Sequence, residues 1–242
     1  MGRPDAYYNN YFGGSEIIGI TNGFEPTFWY VAKRKELLAN GVDLNETCYI
    51  EECRNYAKEA QDVGHRVHSG IEHYLKTKNL EEAMREVGGS EEVVMLEEFA
   101  SIIKEKGWFG GESEVVVTSK KHGYGGTPDY ILGDTIFDWK TDSVPRSKQQ
   151  DYERFLKYQW QLALYAIAYE EETGKKLKWG HIVRVSKDTP PKVAHYKFRI
   201  DKTLKDTVIV LNKIHKLVKG SSKGSKAYLE NPAYVAHMGP IK

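Results

Sequence analysis

The sequence is poor in cysteine, which excludes several kinds of metal centre. Its two cysteines, Cys48 and Cys53, stand five residues apart, and there is no second pair. They cannot form a four-cysteine zinc site or ligate an iron–sulfur cluster, both of which need four ligands. We expect free thiols in the reducing environment of the cytosol.

Long apolar runs are also missing. No stretch approaches 18 consecutive apolar residues, so no transmembrane helix is expected. The first residues, MGRPDAYYNNYFGG, lack the apolar run of a secretory signal peptide. The sequence therefore predicts a soluble cytoplasmic protein, located in the host cytoplasm if it is of phage origin.

No excess of either charge is present, since the formal net charge is only +1. A nucleic-acid partner is neither supported nor excluded, because local basic patches can bind phosphates without an overall positive charge. What is present is a composition typical of a globular core, with 40% hydrophobic and 29% charged residues. A length of 242 residues suits one domain, or one domain with an elaboration.

The hydrophobic periodicity predicts an ordered series of elements. Helices are expected at 27–39, 49–77, 91–106, 148–172 and 203–219, and strands at 112–118, 130–132, 135–139, 179–187 and 192–200. Helices thus precede three meandering strands, which are followed by a long helix, two strands and a last helix. This order predicts an α/β fold, a mixed central sheet with helices on both faces.

Residues 125–141 carry the most specific pattern in the chain. They read GGTPDYILGDTIFDWKT, two short apolar segments joined by a Gly-Asp pair that is a strong hairpin signal. Residues two apart on a strand point to the same face, so Asp138 and Lys140 share a face while Trp139 points away. The hairpin brings the chain back towards Asp129. Two carboxylates and one amine are therefore expected at one end of a hairpin.

Such a group has the parts needed to hydrolyse a phosphodiester bond. Asp129 and Asp138 would repel each other, and the pKa of one would rise, unless a cation lay between them. Oxygen ligands with open water positions are those that Mg²⁺ prefers. Lys140 can hold or help deprotonate the attacking water, or offset phosphate charge. The competing interpretation is that Asp138 and Lys140 form a surface ion pair that contributes little to the stability of the fold.

This pattern resembles the motif of PD-(D/E)XK nucleases, which lies on adjacent strands of an αβββαβ, restriction-endonuclease-like core. The match is Pro128-Asp129, eight residues, then Asp138-Trp139-Lys140. The resemblance implies that Asp129 and Asp138 bind Mg²⁺ or Mn²⁺, helped by the backbone carbonyl of Trp139. It also implies that Lys140 acts on the nucleophilic water.

The flanking helices resemble the RecB-like branch, which includes phage-type exonucleases. Gln161 and Tyr165 fit its Q-x-x-x-Y signature, which implies that they face the active site and the DNA backbone. Gly64, His68 and Glu72 fit the pattern G-x-x-x-H-x-x-x-E, which implies that His68 is a metal ligand. The subgroup that carries iron–sulfur cysteines is excluded.

The same resemblance suggests an acidic residue on the strand before the hairpin, in contact with a metal or its water. Glu114 is assigned to this role, but Glu112 shares its strand face and the choice stays open.

Basic residues beyond the catalytic strand are candidates for a DNA phosphate-binding rim. They are Arg146, Lys148, Arg154 and Lys157. No set of residues in the chain suggests base-edge readout, which argues against a sequence-specific restriction enzyme.

Together these patterns predict a single nuclease domain with a mainly helical part at 1–107, a catalytic core at 108–219 and a flexible tail at 220–242. The leading hypothesis is a Mg²⁺- or Mn²⁺-dependent DNA exonuclease acting on single strands or DNA ends, as in DNA repair and recombination. Three alternatives stay open: a structure-selective DNA endonuclease, a non-catalytic nucleic-acid-binding module on the same fold, and an α/β scaffold in which the motif arose by chance.

Overall fold

The computed structural model describes most of the chain beyond residue 45. The described residues are 12–13, 38–41, 46–145 and 147–221. Most of the predicted mainly helical part before residue 46, and the predicted flexible tail from residue 222 onward, lie outside these ranges. No helix within them is both long and apolar enough to span a membrane.

Within the part of the chain described from residue 46 onward, three helices precede the main sheet. They are α1 (Glu46–Thr77), α2 (Leu80–Val87) and α3 (Ser90–Lys106). The helix predicted at 49–77 is present and begins earlier, whereas α2 was not predicted from the sequence. Helix α3 ends at Gly107, whose left-handed conformation lets its N–H bond the carbonyl oxygens of the last turn.

The described strands form two sheets. Short strands β1 (Phe12–Gly13), β3 (Val117–Ser119) and β4 (Tyr124–Gly126) form a small sheet in the order β1-β4-β3. The main sheet has the order β2-β5-β6-β7-β8. Its strands are β2 (Glu112–Ser113), β5 (Tyr130–Leu132), β6 (Thr135–Asp142), β7 (Trp179–Ser186) and β8 (Val193–Arg199).

Only β6 and β7 run parallel in the main sheet, and the other neighbouring strands are antiparallel. A parallel pair needs a crossover connection, which α4 (Lys148–Thr173) provides. The side chain of Ser147 caps the start of α4 by accepting a hydrogen bond from the Gln150 N–H, and Gly174 ends the helix in a left-handed conformation. Helix α5 (Lys202–Ser221) follows β8 and continues two residues into the predicted tail.

Each face of the main sheet is covered by a separate apolar cluster. The α4-side cluster packs residues of α4 and the small sheet against Ile131, Ile136 and Ile182. The α1-side cluster packs α1, α2 and α3 against the opposite face, where Trp139 is 2% exposed. The predicted mixed sheet with helices on both faces is therefore confirmed.

One predicted strand is wrong in its extent. The run at 112–118 divides into β2 and β3, which belong to different sheets. The break falls at Glu114, whose φ of 52° lies in the left-handed region, where a β-strand cannot continue. Strand β4 also lies inside the segment 119–127, for which the sequence predicts no strand. Its Tyr-Gly-Gly composition gives a weak strand signal, because glycine is depleted in strands.

Candidate active site

The β5–β6 hairpin brings the two aspartates of the motif to the same end. Tyr130 pairs with Phe137 in the antiparallel register, so the next residues outward, Asp129 and Asp138, lie opposite each other. The Trp139 backbone N–H donates a 2.7 Å hydrogen bond to Asp129 Oδ2. This bond fixes the Asp129 carboxylate against the edge of β6.

Asp138, which is buried, and Lys140, which is half-buried, form an ion pair on the α4 side of the sheet. Lys140 Nζ donates to Asp138 Oδ1 at 2.6 Å, and the Asp138 side chain is 3% exposed. The other oxygen of Asp138, Oδ2, is buried and has no hydrogen-bond partner within the described part of the chain. A buried carboxylate oxygen without a donor is costly, so this atom is suited to accept a cation.

The electrostatic environment of the ion pair is set by burial and by neighbouring carboxylates. Burial raises the pKa of Asp138, the Lys140 ammonium lowers it, and Asp129 raises it further. Burial lowers the pKa of Lys140, but Asp138 and Asp129 outweigh burial and hold that pKa above its ordinary value. Lys140 therefore carries its proton at neutral pH.

A second group of ligand atoms lies beside Asp129. One atom each from His68, Glu114 and Asp129 lies within 4.8 Å of the other two, and His68 Nδ1 is 3.6 Å from Asp129 Oδ1. Glu114 reaches this group because its left-handed backbone turns the chain out of β2, with its N–H bonded to the Asp129 carbonyl at 3.1 Å. Glu112 stays in β2 and is not in the group. Asp138 is not in it either.

Helix α1 places His68 at the end of the hairpin. A Cβ added at Gly64, one turn earlier, would lie 3.2 Å from Thr141 Oγ1 of β6, so glycine permits a close approach of helix and strand. Burial lowers the pKa of His68, while the Asp129 carboxylate and a backbone hydrogen bond to Trp139 raise it. The net direction is downward, which favours the neutral imidazole that can bind a metal.

Helix α4 supplies the glutamine and the tyrosine of the second signature. Gln161 Nε2 donates to Tyr165 Oη at 2.9 Å, and Tyr165 is 4% exposed. A Cβ at Gly126 would lie 1.8 Å from the Tyr165 ring, so only glycine leaves room for it. Burial raises the pKa of Tyr165 to about 12, so its hydroxyl stays protonated and can donate a hydrogen bond.

Three residues near the site were not predicted from the sequence. Asp142 follows Lys140 by two on β6, and its Oδ2 accepts a 2.9 Å hydrogen bond from the Tyr158 hydroxyl. Its Oδ1 accepts bonds from the buried Arg184 of β7. The two-residue alternation from Asp138 could have suggested Asp142, and Tyr158 precedes Gln161 by three on the same helix. No sequence signal identified Arg184.

The predicted DNA-binding residues are only partly placed. Arg146 lies outside the described residues. Lys148 is exposed at the first turn of α4, and Lys157 is half-buried further along it. Arg154 donates to the Ser143 carbonyl at 2.6 Å, so it contacts its own fold and is a weaker candidate for a phosphate contact.

The donors at the hairpin end fit a hard divalent cation. They comprise carboxylate oxygens and one imidazole, with Asp138 Oδ2 buried nearby and unpaired among the described residues. Such a site joins a cation-binding end to the Lys140 ammonium and the Tyr165 hydroxyl. This combination can bind, polarise and stabilise a phosphate group as negative charge develops on it.

Comparisons with known proteins agree with this geometry. A family model described as a PDDEXK-like domain of unknown function (DUF3799) matches residues 43–228. A crystal structure of a candidate exonuclease from Eubacterium rectale is similar, with a TM-score of 0.54 and 18% sequence identity, covering 93% of this chain and 88% of that chain. At this identity the likeness shows a shared fold.

Two more distant structures are also similar in part. An alkaline exonuclease from Laribacter hongkongensis is 16% identical, covers 56% of this chain and 68% of its own, and has a TM-score of 0.36. A phage-related exonuclease from Haemophilus somnus 129PT is 14% identical, covers 55% and 74%, and has a TM-score of 0.35. These two likenesses are too remote to support an argument. No curated protein matches the chain.

Proposed function

The chain belongs to the PDDEXK-like family of unknown function DUF3799, within the PD-(D/E)XK nuclease superfamily, and on this premise we propose that it is a metal-dependent deoxyribonuclease. One observation carries the proposal. The ligand atoms of His68, Glu114 and Asp129 lie within 4.8 Å of one another, at the end of the hairpin that holds the Asp138–Lys140 pair. A fold maintained for packing alone has no need to gather these groups.

His68, Glu114 and Asp129 would hold Mg²⁺ or Mn²⁺, with Asp138 Oδ2 and the Trp139 carbonyl as further donors. A divalent cation held there would neutralise phosphate charge and lower the pKa of water. The site would hold one cation if Asp138 Oδ2 binds the same ion as the other three side chains, and two if it binds a second ion. In either arrangement, Asp129 is oriented before binding by its bond to the Trp139 N–H.

Lys140 and Tyr165 act on the substrate rather than on the cation in this proposal. Lys140 stays protonated, so it orients the attacking water and offsets the charge of the pentavalent phosphate in the transition state. Tyr165, held by Gln161, donates a hydrogen bond from the helix side to a phosphate oxygen. Lys148, exposed at the start of α4, would contact a phosphate of the DNA backbone.

Action on single strands or DNA ends is the preferred mode. The E. rectale protein, which shares the fold over nearly the whole chain, is described as an exonuclease. Among the described residues, no set of side chains suggests readout of base edges, which fits an enzyme that cleaves DNA without sequence specificity. Cleavage within a strand, by a structure-selective endonuclease, is the alternative that experiment must separate.

The test compares two DNA forms of the same sequence. End-labelled linear DNA and a relaxed closed circle are incubated with the full chain in Mg²⁺, in Mn²⁺, or in chelator. We expect loss of linear DNA with either cation and survival of the circle, while an Asp129→Asn variant leaves both intact. Cutting of the circle identifies an endonuclease. If wild type leaves both DNA forms intact under all conditions, the proposal is overturned.

A further inference from the structure

Strand β6 presents two acids to the Lys140 ammonium, one on each side of it. Asp138, Lys140 and Asp142 follow one another at steps of two and so point to the same face of the sheet. Lys140 Nζ bonds Asp138 Oδ1 at 2.6 Å. A flexible lysine side chain could equally reach the other acid, so something must settle its choice of partner.

Asp142 is withheld from Lys140 by other donors. Its Oδ1 accepts hydrogen bonds from Arg184 Nε at 3.1 Å and Nη2 at 2.9 Å, and its Oδ2 accepts from the Tyr158 hydroxyl at 2.9 Å. Arg184 is 4% exposed, and its remaining Nη1 donates to Asp151 of α4. Asp151 is held in turn by the Tyr196 hydroxyl at 2.7 Å. Both carboxylate oxygens of Asp142 are thus occupied.

Tyr158 connects this network to the lysine. The ring centre of Tyr158 lies 5.0 Å from Lys140 Nζ, within the range of a cation–π contact. Its hydroxyl is anchored on Asp142, so the ring is fixed at one end by β6 and at the other by α4. Tyr158 belongs to neither sequence signature, so no motif points to this contact.

We propose that Tyr158 is a positioning residue for the reaction: its ring, anchored through Asp142 and Arg184, holds the Lys140 ammonium beside Asp138. The kinetic consequence rests on the proposed nuclease function, whereas the positioning itself does not. In this proposal Tyr158 acts through Lys140 and makes no contact of its own with cation or phosphate. Arg184 contributes by keeping Asp142 engaged, so that Lys140 has one carboxylate partner instead of two.

The kinetic test is a double-mutant cycle between Tyr158→Leu and Lys140→Met, measured at saturating DNA and Mn²⁺. Tyr158→Leu should lower kcat about tenfold with the KM for DNA unchanged, because binding groups are untouched. Tyr158→Phe, which keeps the ring, should recover part of the loss. In the Lys140→Met background, Tyr158→Leu should have little further effect, because residues that act through one another are not additive. Losses that multiply would overturn the positioning role.

Tyr152→Leu is the matched control, since Tyr152 is 57% exposed on the same helix. It should leave kcat and KM unchanged. Thermal unfolding of each variant shows whether a lower kcat comes from a displaced Lys140 or from loss of folded protein. Tyr158→Phe should unfold close to wild type, because it keeps nearly all of the buried volume.

A spectroscopic measurement decides the positioning without any activity. In lysine-labelled full chain, the ε-methylene proton resonance of Lys140, assigned by its loss in Lys140→Met, should lie upfield because of the Tyr158 ring current. It should stay upfield in Tyr158→Phe and move to the region of exposed lysines in Tyr158→Leu. A wild-type resonance already in that region overturns the inference even if the chain degrades DNA. An upfield resonance in an inactive chain supports positioning and contradicts only the proposed function.

Discussion

Lys140 lies in surroundings that restrict the chemistry it can perform. Its ammonium is bonded to Asp138 Oδ1, and the neighbouring carboxylates keep its pKa above the ordinary value despite burial. A protonated lysine cannot accept a proton from water. In the proposed reaction its contribution would therefore be electrostatic, because a positive charge fixed in a partly dry site interacts strongly with a phosphate.

The first prediction concerns this charge. Lys140→Met keeps the length of the side chain and removes the ammonium, so it should lower the cleavage rate by about 10² or more. Binding of Mn²⁺, measured by calorimetry, should change little, because the lysine is not a ligand. Near-wild-type cleavage by the variant would exclude an electrostatic role for Lys140.

The second prediction concerns the histidine contributed by α1. If His68 is a ligand, His68→Ala should weaken Mn²⁺ binding by about tenfold or more, since even outer-shell partners of metal sites contribute that much. The measurement is titration calorimetry with Mn²⁺ on the full chain, followed by cleavage assays at limiting and saturating Mn²⁺. Activity should recover in part at high metal concentration.

His65→Ala is the control for this change. His65 is exposed on the same helix, three residues before His68, and is not in the group of ligand atoms. Its removal should leave Mn²⁺ affinity unchanged. Equal effects of the two substitutions would mean that His68 belongs to the helix surface and that the hairpin carboxylates bind the metal without it.

At the scale of elements, the position of α4 over the hairpin depends on a glycine in β4. A Cβ at Gly126 would lie 1.8 Å from the Tyr165 ring. Gly126→Ala should displace Tyr165 and lower cleavage by about tenfold or more, because small misplacements at a site have large kinetic effects. The third prediction is therefore that Gly126→Ala lowers kcat even when the rate is calculated for the protein that remains folded.

Gly180→Ala provides a matched test of overpacking away from the site. Its Cβ would lie 2.2 Å from the Phe198 ring, between β7 and β8. It should lower the free energy of unfolding by about 1 to 3 kcal/mol, as overpacking usually does, while the remaining folded protein keeps its kcat. Equal kinetic losses in the two variants would remove the link between Gly126 and the position of Tyr165.

The elements that the sequence predicted well are those specified by local signals. The hairpin at 130–139 follows from alternation and a turn pair, and α4 from helical periodicity with a serine cap and a glycine stop. Helix α2 was missed although Leu80, Ala83, Met84 and Val87 recur at three- and four-residue steps, because a pattern of only eight residues is a weak helix signal. The division at Glu114 was missed because a positive φ at a non-glycine residue leaves no mark in the sequence.

The candidate site divides in the same way. Asp129, Asp138 and Lys140 could be placed together because a hairpin and a two-residue period fix their relation. The contacts of Asp142 with Arg184 join residues 42 apart across the parallel β6–β7 pair. Such contacts depend on the register of a strand pair joined only through α4, which no local pattern determines.

At the scale of the whole molecule, the main sheet separates the site from a second group of titratable residues. His181 on β7 lies in the α1-side layer, with its ring centre 4.9 Å from those of Phe137 and His195. Trp108 packs against both histidines. These rings pack in the layer opposite α4, so we expect their protonation to affect the stability of the fold.

The fourth prediction is a loss of stability in mild acid that originates at His181. Burial lowers the pKa of His181 to about 4, with His195 and Lys197 adding to the shift. Between pH 6.5 and about 4, the unfolded chain therefore binds a proton at this site that the folded chain does not, and stability falls as the pH falls. The contribution is fully present above pH 6.5, and its loss amounts to up to about 3 kcal/mol.

Urea unfolding of wild type and His181→Leu at pH 7.5 and pH 5.0 measures this loss of stability. Although the variant loses stability at both values, the difference between them should be smaller than in wild type. The matched His65→Leu change, at an exposed ring, should leave that difference as it is. A wild-type difference that His181→Leu does not reduce would assign the acid sensitivity to other groups.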